Sequence, residues 1–168
     1  MTPDKIARLK TVEECRGLMV NAKRLDNAEV HRLAFQRLCE LSGEEEDTPL
    51  ERDFAQALAA CEELLSDKNG RKSRASKTRL KLKNKGLHQC LTDWSTGPET
   101  TDGLKILSDQ NLGHLSGEFL VVKYADEFDA KVVKAAKAKL KKFGVDEPDP
   151  EAEVGAVVAD DANDTAEA

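Results

Sequence analysis

The side chains most able to do chemistry are concentrated in one run, Lys68-Asn-Gly-Arg-Lys-Ser-Arg-Ala-Ser-Lys-Thr-Arg-Leu-Lys-Leu-Lys-Asn-Lys85. Nine of its residues are cationic: Lys68, Arg71, Lys72, Arg74, Lys77, Arg79, Lys81, Lys83 and Lys85. No acid follows until Asp93, although the whole chain has a formal net charge of −6. A solvated cluster of one sign needs an anionic partner or a neutralising neighbour. Phosphate is a suitable partner. The guanidinium groups of Arg71, Arg74 and Arg79 offer paired donors. The hydroxyls of Ser73, Ser76 and Thr78 add further donors, and displaced counterions drive association. These twelve residues form the candidate nucleic-acid contact set, with DNA the favoured form. An acidic protein surface carries the same sign and is the second candidate partner.

A reaction is harder to read. His31, His88 and His114 are scattered, with neither H-E-x-x-H nor H-x-H spacing. Asp126, Asp129 and Lys131 follow the acid…acid-x-Lys order of some metal-dependent nucleases. Such sites need a sheet to hold the acids, and this chain offers none, so a helix cap and a surface lysine explain the three residues better. Gly103, Gly113 and Gly117 form no phosphate loop. The expectation is therefore a binding protein with no catalytic residue, metal ligand or cofactor. An adaptor or inhibitor of another protein is the alternative, and a nuclease a more distant one.

The elements that position the basic run read as helices. Aromatic residues make up 4% of the 168 residues and charged residues 35%, which favours a helical domain of Leu, Val and Ala. Pro3 starts a short helix to about Leu9. Thr11 and Glu14 form a capping box for the next, with Val12, Cys15, Leu18, Met19 and Ala22 on one face. Asp26 with Glu29 predicts a third start, and Gly43 its end. Thr48-Pro49-Leu50-Glu51 is the clearest start in the chain, and Asn69-Gly70 the matching stop. Ser73 or Ser76 is expected to cap the basic helix, which closes at Gly86. Leu80, Leu87, Leu91 and Trp94 are expected to close this helix on its successor. Helix, glycine turn, helix gives segment 68–94 the outline of a helix-turn-helix, one shared by any antiparallel helix pair. Residues 95–102 read as a polar loop, followed by a short helix closed near Gly113. Residues 118–124 have strand-like composition but no second strand to pair with, so they are assigned to a buried helix. Asp129 caps the last helix, whose lysines at 131, 134, 137, 139, 141 and 142 form a second basic face.

Residues 145–168 hold nine acids and no base, a composition that predicts a disordered acidic tail after a helical domain over 1–144. The four cysteines, Cys15, Cys39, Cys61 and Cys90, include no C-x-x-C pair and each falls on an apolar helix face. They read as reduced thiols acting as small hydrophobes. No apolar run approaches the roughly 20 residues of a membrane span, and the first residues lack a signal-peptide core. The expected location is the cytoplasm.

Asn69-Gly-Arg-Lys-Ser-Arg-Ala-Ser-Lys-Thr-Arg79, followed by Lys85-Gly86, resembles a segment of a family of small helical bacterial proteins. Their pattern is N-G-R-x-[ST]-R-A-S-[RK]-T-R, then a basic helix, a glycine and a second helix. Thr48-Pro-Leu-Glu-Arg-Asp-Phe54 and Gly117-Glu-Phe-Leu-Val-Val-Lys-Tyr124 extend the likeness, which spans most of residues 11–144. The resemblance implies a real helical domain. It brings no activity and no catalytic residue with it.

Overall fold

The computed structural model describes residues 2–98 and 102–149. These residues are all-α, with α1 Pro3–Ala7, α2 Val12–Arg24, α3 Ala28–Gly43, α4 Pro49–Asn69, α5 Ser76–Lys85, α6 Leu87–Thr96, α7 Asp102–Asp109, α8 Gly117–Lys123 and α9 Ala130–Lys142. Two single 3₁₀ turns, Gly113–Leu115 and Ala125–Glu127, flank α8. No strand occurs among the described residues. The segment 118–124 is helical, as expected, and starts where the Ser116 hydroxyl accepts the Phe119 N–H at 3.2 Å.

Helix α4 divides the core. On one side Cys15, Phe35, Leu38 and Cys39 pack with Ala60 of α4 and Leu107 of α7. On the other, Leu50, Phe54, Ala57 and Leu58 of α4 pack with Leu91, Leu120, Val121, Val132 and Ala136. A helix buried on two sides needs firm ends. The Thr48–Glu51 capping box is formed in both directions, Pro49 occupies the first turn, and Gly70 at φ +63° closes the other end. Phe54 stacks on Trp94 of α6 with ring centroids 5.8 Å apart.

Several helix ends differ from expectation. Asp26 does not cap α3. It adopts φ +53°, and its N–H and that of Asn27 bond back to Lys23 and Ala22. It therefore terminates α2 as a left-handed residue, and Asn27 caps α3 by accepting the Val30 N–H at 3.0 Å. In the same way Asn111 at φ +57°, rather than Gly113, ends the turn after α7, with Leu112 bonding back to Leu107 at 2.8 Å. Gly43 lies within α3, and its role is close approach. A Cβ there would stand 2.7 Å from the Arg52 carbonyl oxygen of α4. Ser95 belongs to α6 and is buried, so the polar loop begins later than expected. Asp129 occupies the N-cap position of α9 but makes no side-chain cap bond.

The body continues past residue 144. Gly144 at φ +67° lets Val145 N–H bond the Leu140 carbonyl at 2.9 Å. Val145 then seats on Gly113, where even a single added methyl would collide with its side chain. Glu147 pairs with Lys137 at 2.9 Å. The expected disordered tail falls, from residue 150 onward, outside the described residues.

Candidate nucleic-acid interface

The basic run begins where α4 ends. After Gly70 the chain doubles back, and Ser73 N–H donates to the Ser66 hydroxyl at 2.9 Å while Asn69 Nδ2 donates to Ser73 Oγ at 2.9 Å. Ser73 is thus engaged in the turn. Neither Ser73 nor Ser76 caps α5, whose N-cap position is Ala75. The capping group arrives from α4. Glu62 Oε1 accepts the Ala75 N–H at 2.8 Å and Arg79 Nε at 2.7 Å, and its Oε2 accepts the second guanidinium nitrogen at 2.8 Å. One carboxylate closes the helix N-terminus and holds an arginine fork. Burial pushes the Glu62 carboxyl up, but the Arg79 fork and the Ala75 amide outweigh that and keep it below the usual carboxylate range. The same contact raises Arg79 further above its already high value.

The far end of α5 is neutralised by α6. Asp93 pairs with Lys81 at 2.9 Å and with Lys85 at 3.5 Å, and Gln89 donates to it at 2.7 Å. The Lys81 bond first, then Gln89, pulls the Asp93 carboxyl down to about 2. Gly86 at φ +81° is the single residue between α5 and α6.

The twelve expected contact residues therefore separate. Arg79, Lys81, Lys85 and Ser73 are held by Glu62, Asp93 and the α4 terminus. Thr78 is half-buried against an apolar groove. Lys68, Arg71, Lys72, Arg74, Lys77 and Lys83 are exposed, and so is Ser76. Among the described residues none of these six cations makes an ion pair. They lie in the last turn of α4, along the loop before α5 and on α5 itself, a helix with no buried residue. Leu80 does not close α5 on α6. It is 60% exposed, while Leu82 and Ala75 supply the packing. The helix pair is present, but its second member α6 buries Cys90, Leu91 and Ser95 against α8 and α9. The first helix is the accessible one.

Glu62 lies outside the expected contact set, although the sequence does expect basic residues just downstream of α4 to offset it, as Arg79 does. A signal existed: Glu62, Glu63 and Asp67 sit in the last turns of α4, where the helix dipole disfavours acids. Each has a cation from another element, namely Arg79, Arg16 and Lys23. Only the first of these cations lies in the basic run.

The second basic face is partly engaged. Lys139 donates to the Trp94 carbonyl and Lys137 pairs with Glu147, while Lys131, Lys134 and Lys141 are exposed. Asp126 and Asp129 are exposed, and no three His, Cys, Asp or Glu side chains gather as metal ligands among the described residues. His88 bonds Glu127 at 2.8 Å and lies against the Phe128 ring. All four cysteines are free. Burial pushes the Cys39 thiol up to about 12 and Cys61 to about 11. No helix among the described residues is long and apolar enough to cross a membrane. No family model, curated protein or solved structure matches the chain.

Proposed function

We propose that the chain binds nucleic acid, duplex DNA above all, through the outer surface of the 68–85 segment, as a cytoplasmic protein without a reaction of its own. The observation that carries this reading is the division of charge within the run. Three cations are used to fix α5 in place, and six are left facing solvent without an ion pair among the described residues. An exposed α-helix has the width of the major groove. Lys68 at the end of α4 and Arg71, Lys72 and Arg74 in the loop precede it, where they reach phosphates flanking an inserted helix. Arg79, Lys81 and Lys85 act as positioning residues that hold the contact surface rigid.

Binding measured by fluorescence anisotropy on one DNA duplex and one RNA duplex across a salt series tests this. Six phosphate contacts give a slope of log K against log salt of about −5 on B-DNA. Arg71→Gln, Lys72→Gln and Arg74→Gln together should flatten the slope by about 3. A slope near zero, or binding in cell extract that persists after nuclease treatment, would replace nucleic acid with an acidic protein as the partner.

A further inference from the structure

A groove of about 670 Å³ runs along the side of α4 opposite α3, between α5, α6 and α7. Its walls are mainly apolar, with Leu58 and Leu65 of α4, Trp94 of α6, Leu104 and Ile106 of α7, and Leu115 of the 3₁₀ turn, while the buried Glu118 of α8 also lines it, away from the bulk solvent. Its rim at the start of α5 is cationic, formed by Arg74 of the preceding loop and Lys77 of the helix. An apolar trough with a basic edge suits an apolar segment bordered by acids.

The chain contains such a segment. Val154-Gly-Ala-Val-Val-Ala159 is preceded by Glu151 and Glu153 and followed by Asp160 and Asp161. It is too short to form a core of its own, and its small side chains match a shallow trough. The body also delivers the chain to the right place. Val145 seats on Gly113, and the 3₁₀ turn starting at Gly113 leads directly into Leu115, Ser116 and Gly117 of the groove wall. Eight residues lie between Val145 and Val154, a reach of up to about 30 Å.

We infer that this groove is the docking site of the chain's own segment 154–159, with the flanking acids set against Arg74 and Lys77. Tethering holds the segment at roughly millimolar effective concentration, so a weak contact suffices to fill the groove. Docking of this kind covers two of the six exposed cations. The inference stands apart from nucleic-acid binding, since the occupant is part of the same chain and the test contains no nucleic acid.

Trp94 is the only tryptophan and lies in the groove wall, which gives a direct readout. In the full-length chain, Val157→Asp with Val158→Asp should raise acrylamide quenching of Trp94 by about twofold, because the tethered segment no longer fills the groove. The far-ultraviolet circular dichroism should stay constant. The amide resonances of Gly103, Ile106 and Gly117 should shift between the two proteins, independently of protein concentration. Unchanged quenching with unshifted groove amides would overturn the inference. So would shifts confined to another face, or shifts that vanish on dilution, which would make a second copy the occupant.

Discussion

A salt bridge and an exposed cation look alike in a sequence and behave oppositely when removed. Arg79→Gln breaks the fork to Glu62, a contact that anchors the N-terminus of α5. Since Arg79 is 42% exposed, solvent screening limits the loss to about 1 kcal/mol. Arg71→Gln, Lys72→Gln and Arg74→Gln should each change stability by less than about 0.5 kcal/mol. Urea denaturation of the four variants checks the contrast, and a loss at Arg71 equal to that at Arg79 would remove the distinction between positioning and contact residues. Acid should release the same helix. The carboxyls of Glu62 and Asp93 are both held below their ordinary values in the folded chain. Their contribution is therefore complete above the unfolded values near pH 4 and is lost as the pH falls through the folded ones, about 2 for Asp93. Protection of the α5 amides against exchange, relative to their intrinsic rates, should fall between about pH 4 and 2 ahead of protection in α4.

At the scale of the element, two glycines in neighbouring helices should respond in opposite directions. Gly17 lies inside α2 with nothing within 4 Å of where a Cβ would stand. Gly17→Ala should therefore stabilise the protein by about 0.5–1 kcal/mol through reduced backbone freedom in the unfolded chain. Gly43→Ala would drive a methyl to 2.7 Å from a backbone oxygen of α4 and should cost about 1–3 kcal/mol. Thermal melts of the two variants, shifted in opposite directions, are the expected result. The apolar stripe from Val12 to Ala22 runs across Gly17 and a stop signal places Gly43 at a helix end, but only the packing of α3 on α4 separates the two. The same limit explains the helix ends. Thr11 and Thr48 announce starts because their partners lie three residues away, within the reach of local pattern. Asp26 and Asn111 are as suited to a left-handed stop as to a cap, so sequence does not choose between the two roles. The capping of α5 by Glu62, thirteen residues upstream of Ala75, depends on the path of the intervening turn and has no local signature. Nor did any pattern separate the exposed cations from the paired ones, because Asp93 reaches Lys81 and Lys85 across the Gly86 turn.

For the molecule as a whole, the balance of charge lies at one end of the chain. Removing residues 150–168 takes away six acids and no base, bringing the formal charge from −6 to zero. It leaves Val145 and Glu147 in their contacts with the body. The shortened protein should bind duplex DNA more tightly, with the gain greatest at low salt, because exposed charges are screened within about 10 Å at 0.1 M. Affinity for one duplex with and without the segment, across a salt series, measures this. Equal affinities at low salt would mean that these acids neither repel nor compete. The thiols offer a different use of the architecture. Cys15, Cys39, Cys61 and Cys90 sit one each on α2, α3, α4 and α6, all free, three of them buried. Alkylating reagents attack the thiolate, and in the native state burial suppresses it. A labelling time course read by mass spectrometry would thus report four separate opening rates from the unmodified protein. The order in which the thiols react would map which helices of the bundle detach first, with no probe introduced.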